Sequence, residues 1–163
     1  LDRVKESVFN IIQNRVNDCV FLDLFSGSGA IGLEAASRGA KKVVLCDKSK
    51  DAVNIIYKNI DKTHLNDKVD VYNLDFRQCL KRIAGIKFDL VYLDPPYKTK
   101  FIKEAVDLII DLDLLDNNSM IIIETDDKKI VEEIDNQCLE IIDIRKYGRA
   151  IVAFVKKQTK RRE

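Results

Sequence analysis

Short apolar runs alternate with longer amphipathic segments along almost the whole chain. The runs at residues 20–25, 43–47, 69–74, 88–93 and 120–124 contain few polar positions, which is typical of parallel strands buried on both faces. Between them, apolar residues recur at the three- and four-residue spacing of helices. This alternation predicts an α/β protein with a doubly wound, Rossmann-like sheet.

Six segments have helical spacing. The first covers residues 2–15, with Val4, Val8, Ile11 and Ile12 on one side, and we expect this leading helix (residues 1–16) to pack on the sheet edge. Gly39 fits the position just after the end of the second helix. The remaining helices are predicted from the glycine-rich run to Arg38 and over residues 50–60, 76–83, 101–112 and 128–135.

The last two apolar runs, residues 139–145 and 150–155, are separated by only four residues. A connection of that length cannot hold a crossover helix, so these strands must be antiparallel neighbours. We therefore predict one domain over residues 1–163, with seven strands that are mostly parallel and a last strand that is antiparallel. Residues 156–163 are predicted to form a basic, solvated tail.

The composition limits the classes of partner. The 163 residues include 28 Lys and Arg against 27 Asp and Glu, a formal net charge of +1, so a nucleic acid would have to be held by a local basic patch. The four cysteines are widely spaced and there is one histidine, so we expect no metal site. The same spacing favours buried thiols in a cytoplasmic protein. No run approaches the roughly 20 apolar residues of a membrane span, so no membrane partner is expected.

A glycine-rich run follows the first strand, where the chain turns into a helix. Gly27, Gly29 and Gly32 have a spacing that several classes of nucleotide-binding protein share. Asp47 ends the next strand, where a carboxylate can accept hydrogen bonds from both hydroxyls of a ribose. The run therefore predicts a site for an adenosine-containing cofactor.

Acceptor groups near this run favour S-adenosylmethionine over a dinucleotide. In a pyrophosphate binder the loop approaches phosphates, whereas Asp23 and Ser26 supply groups that can accept hydrogen bonds from the ammonium of an amino acid. Asp75 ends the third strand and could accept from the adenine amine. The same residue could be a plain N-cap of the helix that follows, and the two roles are compatible.

The sequence Asp94-Pro95-Pro96-Tyr97 ends the fourth strand. Two successive prolines fix φ twice and remove two donors, so we expect a stiff loop whose carbonyls have no local N–H partner. The Asp94 carboxylate and the Pro95 carbonyl could then accept both hydrogens of a planar NH2 group while Tyr97 covers the ring. A sulfonium methyl held about 3 Å from that nitrogen would be transferred in one displacement, without a metal or a covalent intermediate.

Four stretches, spread over nearly the whole chain, match motifs of one known family. They are a leading helix, a donor loop, a reactive strand with its loop, and a closing hairpin: Asp2-Arg3-Val4-Lys5-Glu6-Ser7-Val8-Phe9-Asn10, Leu22-Asp23-Leu24-Phe25-Ser26-Gly27-Ser28-Gly29, Phe88-Asp89-Leu90-Val91-Tyr92-Leu93-Asp94-Pro95-Pro96-Tyr97 and Lys146-Tyr147-Gly148. By these stretches the chain resembles the bacterial 16S ribosomal RNA guanine-N2 methyltransferases, within the class I S-adenosylmethionine-dependent fold. The second and third stretches are shared with other amino methyltransferases.

The resemblance implies a role for particular residues. Asp47 would hold the ribose, although the family more often has Glu there, and Asp75 would hold the adenine. The basic N-terminal strand that the family carries before the leading helix is expected to be missing from this sequence. The implied cofactor-binding residues are Asp23, Phe25, Ser26, Gly27, Gly29, Asp47, Lys48, Asp75 and Phe76; the implied catalytic residues are Asp94, Pro95, Pro96 and Tyr97; Arg3, Lys5, Lys98 and Lys100 would contact the phosphates of the nucleic acid.

The predicted reaction is methyl transfer from S-adenosylmethionine to the N2 amine of a guanine, with S-adenosylhomocysteine as the product. The substrate would be 16S ribosomal RNA, either free or in an assembling 30S subunit, with the target base splayed out into the pocket of a monomeric enzyme. An adenine-N6 methyltransferase acting on DNA or RNA is the nearest alternative, and a protein-glutamine methyltransferase is a third. A non-catalytic nucleoside-cofactor-binding module and a dinucleotide-dependent oxidoreductase are alternatives from other classes.

Overall fold

Seven strands form one sheet in the computed structural model, which describes residues 2–134 and 138–158. The strands are β1 (Val20–Asp23), β2 (Lys42–Cys46), β3 (Val69–Tyr72), β4 (Phe88–Leu93), β5 (Leu115–Thr125), β6 (Leu139–Tyr147) and β7 (Ala150–Lys157). The helices are α1 (Asp2–Val16), α2 (Ala30–Ser37), α3 (Lys50–Thr63), α4 (Phe76–Arg82), α5 (Phe101–Asp111) and α6 (Lys128–Ile134), with a 3₁₀ turn at Asn66–Lys68.

The strand order is β3-β2-β1-β4-β5-β7-β6. The pairs β3–β2, β2–β1, β1–β4 and β4–β5 are parallel, and β7 is antiparallel to both of its neighbours, β5 and β6. The predicted fold class, a mostly parallel seven-stranded sheet with a reversed last strand, is confirmed. None of the helices in the described part of the chain is long and apolar enough to cross a lipid bilayer.

The sheet separates two apolar cores. Along β2, Val43 and Leu45 belong to the core that α1, α2 and α3 cover, whereas Val44 and Cys46 belong to the core under α4, α5 and α6. Because successive side chains of a strand point to opposite faces, a strand buried on both faces must be apolar at every position. This is the physical reason for the uninterrupted apolar runs in the sequence.

The leading helix packs on a face of the sheet and not on its edge, so that prediction was wrong. The Phe9 ring of α1 lies on the Phe21 ring of the central strand β1, with 6.4 Å between the ring centroids. Val4, Val8 and Ile12 are buried as expected, but Ile11 is 39% exposed. The helix therefore covers the middle of the sheet with the stripe that includes Phe9.

The structure changes the bounds of several elements near the C-terminus. β5 begins at Leu115, five residues before its predicted start, because an irregular segment is tied to β4 by Ser119, whose hydroxyl donates to the Phe88 carbonyl at 2.6 Å. Part of the predicted basic tail is strand, since β7 continues to Lys157. Residue 135 of the predicted sixth helix and residues 159–163 of the tail lie outside the described residues.

Three of the four cysteines are buried, as expected, but Cys138 is exposed. The buried thiols are those of Cys19, Cys46 and Cys79. Burial and the carboxylate of Asp89 raise the pKa of the Cys19 thiol to about 12, so this side chain behaves as an apolar group in the core. The prediction of buried thiols is therefore wrong for Cys138.

Close packing of α2 on the sheet requires glycine at position 32. A Cβ atom at Gly32 would lie 2.0 Å from Cδ2 of Leu45 and 3.1 Å from Cγ1 of Val43. Leu45 and Val43 are fully buried, so a methyl group would force the helix or these side chains to move.

We expect Gly32→Ala to lower the free energy of unfolding by about 1–3 kcal/mol, because the added methyl overpacks the core. At an exposed helical position the same change normally stabilises by about 1 kcal/mol, so the sign of the effect is diagnostic. Urea unfolding followed by circular dichroism measures it, with Ser37→Ala on the exposed side of α2 as a nearly neutral control. A stabilised Gly32→Ala variant would contradict the packing.

Candidate active site

Two loops meet because β1 and β4 are adjacent parallel strands. The glycine loop (residues 24–29) follows β1, and the reactive loop (residues 94–100) follows β4. Asp23 pairs with Tyr92 in the register of the two strands, and the Leu24 N–H donates to the Tyr92 carbonyl at 3.2 Å. The strand order reverses at this pair, with β2 and β3 on one side and β5 on the other. Crevices at such switch points hold the ligands of open α/β sheets.

The glycine loop is held in shape by Asp47. The carboxylate accepts the Gly27 N–H through Oδ2 and the Ser49 N–H through Oδ1, each at 2.8 Å. Gly27 and Gly29 have φ angles of 55° and 84°, in the left-handed region that favours glycine. A Cβ on Gly27 would meet no atom within 4 Å, so the loop faces open space there. Because a carboxylate has about four acceptor sites, Asp47 keeps capacity for a ligand.

Asp23 is a buried acid where the two loops meet, with only 1% of its surface exposed. Its Oδ2 accepts the backbone N–H of Gly32 at 3.2 Å. Burial raises the pKa of Asp23 to about 7, and the nearby carboxyls of Asp94 and Asp47 also act to raise it, against the lowering effect of the Gly32 hydrogen bond. A cationic ligand group beside Asp23 would therefore stabilise its ionised form.

Ser26 is not the open acceptor that the sequence suggested. Its hydroxyl donates to the Asp23 carbonyl at 2.6 Å and accepts the Cys46 N–H at 3.0 Å, and the residue is buried. The side chain therefore ties the glycine loop to β2. The partner from β2 is 20 residues away in the chain, so local sequence could not reveal this use of the hydroxyl.

Asp75 and Phe76 stand where the third strand is followed by α4. Asp75 caps the helix by accepting the Arg77 N–H at 3.0 Å, which confirms the capping role. The same carboxylate lies 3.1 Å from the Arg77 guanidinium, whose other side makes two hydrogen bonds to Glu104. Phe76 is only 4% exposed, so its ring belongs to the core. Arg77, which the sequence analysis did not single out, fixes the orientation of Asp75.

Phe25 and Lys48 belong to the predicted donor region. The Phe25 ring packs on the Phe76 ring, with 5.1 Å between the centroids, and is half-buried. Lys48 is exposed, and its carbonyl accepts from the Asn73 side-chain amide at 3.1 Å, which also donates to the Asp47 carbonyl at 3.1 Å. Asn73, also missed in the sequence, therefore braces the turn that carries Asp47.

The reactive loop exposes most of its polar groups. Asp94 and Pro96 are exposed, Pro95 is half-buried, and 71% of the Tyr97 surface is exposed. The Thr99 hydroxyl donates to the Pro96 carbonyl at 2.9 Å, so that carbonyl has a side-chain partner that was not predicted. No donor among the described residues reaches the Pro95 carbonyl. The acceptor pair of Asp94 and Pro95 is therefore available to a ligand.

A cavity of about 640 Å³ opens beside this loop. Its walls come from the reactive loop, from the segment that follows β5, and from the hairpin between β6 and β7. The glycine loop does not contribute to them. The lining residues are Asp94, Pro95, Pro96, Tyr97, Lys98, Thr99, Ile102, Glu124, Thr125, Asp126, Asp127, Ile130, Tyr147, Arg149 and Ala150.

Several cavity residues were not singled out from the sequence. Glu124 is the last residue of the predicted fifth strand, Asp94 directly follows the fourth, and this similar position was the available signal. Asp126 and Asp127 follow it, and Arg149 lies in the closing hairpin, whose Tyr147 was noted only as part of the family resemblance. These residues bring both signs of charge to the wall of the cavity.

Asp94 and Glu124 form an acid pair in this wall. Although Asp94 as a whole residue is exposed, loss of hydration at its carboxyl raises its pKa to about 7, with a further contribution from the Glu124 charge. The Tyr92 hydroxyl donates to Oε2 of Glu124. Within residues 2–134 and 138–158, no group of three or more His, Cys, Asp or Glu side chains is arranged to hold a metal ion.

Of the four basic residues expected to contact nucleic acid, Lys98 lines the cavity. Lys100 is exposed and directly precedes α5. Lys5 is half-buried, with its ammonium 3.6 Å from Oε1 of Glu34 in α2, and Arg3 is exposed on α1. The roles of all four in nucleic-acid binding stay predictions.

The chain matches a family model and several named proteins. The family model described as "Conserved hypothetical protein 95" matches residues 1–156. A Bacillus subtilis protein named "Putative rRNA methyltransferase YlbH" is 34% identical over 163 residues, which cover 96% of this chain and 86% of that protein. "Ribosomal RNA small subunit methyltransferase D" of Haemophilus influenzae is 35% identical over 130 residues, which cover 78% of this chain and 67% of that protein.

A solved structure has the same fold. The Escherichia coli protein titled "Putative methyltransferase yhhF" superimposes with a TM-score of 0.85 at 25% sequence identity, covering 97% of this chain and 87% of that one. The similarity includes the elements that carry both loops, because it extends over nearly the whole chain.

Neutralising Asp23 should stabilise the protein more at alkaline than at acidic pH. The pKa of Asp23 in the folded protein is about 7 against an ordinary value of 3.8, so the folded state binds the proton more tightly and wild-type stability falls as pH rises from about 4 to 7. The amide of Asp23→Asn does not titrate. We expect the stability gain of Asp23→Asn to be roughly 1–3 kcal/mol larger at pH 8 than at pH 4.5 in urea unfolding.

Asp61→Asn on the exposed side of α3 is the control, and its effect should be the same at both pH values. A gain for Asp23→Asn that is equal at both pH values, or larger at pH 4.5, would show that Asp23 is ionised without cost.

Proposed function

Because the chain belongs to the family described as conserved hypothetical protein 95, we propose that it transfers a methyl group from S-adenosylmethionine to the N2 amine of a guanine in small-subunit ribosomal RNA. Methyl transfer to ribosomal RNA is the activity named for its relatives, and it agrees with the resemblance read from the sequence. The proposal also includes the choice of guanine N2 and the roles of individual residues. Its main support is the register of β1 and β4, which sets a donor loop beside an amine-binding loop.

The donor region fits S-adenosylmethionine by its charge. Asp23 is buried with one hydrogen bond from Gly32, and it lies in the field of Asp94 and Asp47. An ammonium and a sulfonium are both positive, so either would relieve the strain of three acids near one another. A pyrophosphate would instead add negative charge here, which argues against a dinucleotide.

We assign the parts of the donor site to residues around the glycine loop. Gly27 and Gly29 let the backbone approach the ligand, and Asp47 accepts the ribose hydroxyls with the acceptor capacity that Gly27 and Ser49 leave. Asp75 would hold the adenine, with Phe25, Phe76 and Lys48 as further donor-site residues, although the Arg77 guanidinium lies 3.1 Å from the Asp75 carboxylate. S-adenosylmethionine supplies a methyl group activated by the sulfonium and leaves as S-adenosylhomocysteine.

The reactive loop holds the acceptor amine. The Asp94 carboxylate and the Pro95 carbonyl accept its two hydrogens, which reduces conjugation of the nitrogen lone pair with the ring and directs that pair away from the loop. The Tyr97 ring is exposed, and the Lys98 ammonium lies 5.5 Å from its centroid, so the opposite face of the ring would cover the base. A carboxyl with a pKa of about 7 can also take the proton that the nitrogen loses after transfer, because that value matches neutral pH.

The RNA must deliver an unstacked base to this loop, since an amine within a helix cannot reach it. Phosphates of the RNA would contact Lys98 and Arg149, which line the cavity. We propose the same role for Arg3, Lys5 and Lys100. These contacts would fix the orientation of the RNA strand. The protein would work as a cytoplasmic monomer on 16S ribosomal RNA or on an assembling 30S subunit.

A nucleoside digest tests the proposal. We expect the protein, with labelled S-adenosylmethionine, to give N2-methylguanosine from naked 16S ribosomal RNA or from 30S subunits, and no label in DNA. N6-methyladenosine, or label only in DNA, would establish the adenine alternative. Tighter calorimetric binding of NAD than of S-adenosylhomocysteine would overturn the donor assignment.

Loss of the Asp94 carboxylate separates donor binding from transfer. We expect Asp94→Ala to slow transfer at least about 100-fold, because the amine loses a preorganised acceptor, while S-adenosylhomocysteine affinity stays within about twofold. Asp107→Ala on α5, which removes an exposed ion pair with Lys103, is the control. Unchanged turnover in Asp94→Ala would refute the role of the loop.

A further inference from the structure

Glu124 and Asp94 both line the cavity, but the proposed reaction assigns no role to Glu124. We propose that Glu124 selects guanine, accepting the N1–H of the base while Asp94 and the Pro95 carbonyl accept the hydrogens of its N2 amine. The inference rests on the proposed function and names the group that distinguishes guanine from the other bases that carry an amine.

The parallel register of β4 and β5 brings the two acids together. Leu93 pairs with Ile123, so Asp94 and Glu124 are the next residues along adjacent strands. Both line the cavity, and the Glu124 charge acts to raise the pKa of Asp94, as expected for neighbouring carboxyls. The sheet thus presents two carboxyls side by side, as two N–H groups stand side by side on one edge of a base.

Tyr92 fixes the position of Glu124. The Tyr92 side chain is 1% exposed, and its hydroxyl donates to Oε2 of Glu124. This hydrogen bond holds the carboxyl in place and leaves it further capacity to accept hydrogen bonds from a ligand. Tyr92 is therefore a positioning residue for Glu124.

A base with two parallel N–H donors would relieve the repulsion between the two acids. Loss of hydration and the Glu124 charge raise the pKa of Asp94 to about 7, so the Asp94 carboxyl holds its proton more tightly than an ordinary aspartate. When the base binds, this proton passes to the solvent and each carboxylate accepts one N–H. No bond of the base is broken in this binding step.

Guanine is the base that presents such donors, since N1–H and the N2 amine are neighbours on its Watson–Crick edge. Adenine and cytosine each present an amine beside a ring nitrogen without a proton, which would face Glu124 as a second acceptor. 2-Aminopurine retains the N2 amine and lacks the N1–H, so it isolates the contact with Glu124. Sites that leave a polar group unpaired against the wrong ligand discriminate strongly.

A purely structural role does not account for an acid at this position. Glutamine has the same shape, could accept from Tyr92 with its carbonyl and could donate to Asp94 with its amide, without a second charge. The carboxyl instead adds repulsion that raises the pKa of Asp94. Two acceptors side by side are useful when the ligand brings two donors.

The Glu124→Gln substitution tests the inference because it turns a donor towards the position of N1. The substrates are two small-subunit RNAs, which carry guanine or 2-aminopurine at the position that the wild-type digest identifies. We expect the wild type to prefer guanine by at least about tenfold. Glu124→Gln should slow transfer to guanine roughly 10- to 100-fold and lower the guanine to 2-aminopurine rate ratio by at least about tenfold.

Glu132→Gln, the same change at an exposed position of α6, should keep the wild-type ratio. Binding of S-adenosylhomocysteine to Glu124→Gln should be unchanged in calorimetry, and its loss would make Glu124 structural and contradict the inference. If the wild type methylates guanine and Glu124→Gln leaves the ratio within twofold, the inference fails while the proposed function stands. If the wild type methylates neither purine at N2, the proposed function fails and this inference with it.

Discussion

The register of three adjacent parallel strands determines the chemistry at this edge of the sheet. The carboxyl ends of β1, β4 and β5 lie at one edge of the sheet, so Asp23, Asp94 and Glu124 come from distant parts of the chain to neighbouring positions on that edge. A shift of one residue in any pair would turn the acid to the opposite face. The two apolar cores fix the register, because a slip would leave every strand side chain in the wrong layer.

Acids that lie close together lower the stability of a fold unless a ligand compensates them. Burial raises the pKa of Asp23 to about 7, and loss of hydration with Glu124 does the same for Asp94. In the proposed function the two sites bind different ligands: Asp23 would face the positive groups of the donor, and the pair of Asp94 and Glu124 would accept the N–H groups of the base. The raised pKa values of Asp23 and Asp94 agree with both of these proposed ligands.

The sequence predicted what depends on local pattern and missed what depends on strand neighbours. The strands were visible because burial on both faces makes them uniformly apolar, and the two loops because glycine and proline restrict the backbone locally. The partner of the Ser26 hydroxyl on β2 and the contact of Ser119 with Phe88 require knowledge of which strands pair. Glu124 was missed for the same reason, since it acquires a role only when β5 lies beside β4.

The proposed reaction requires the reactive loop to hold a guanine amine in line with the donor methyl. A crystal structure with S-adenosylhomocysteine and a guanine-containing RNA fragment measures this directly. The account predicts hydrogen bonds from N2 to Asp94 and Pro95, with the sulfur on the far side of N2 and about 5 Å from it, which leaves about 3 Å between N2 and a methyl carbon. A guanine N2 that points away from the sulfur, or lies beyond about 8 Å from it, would contradict the account, since no single displacement could join them.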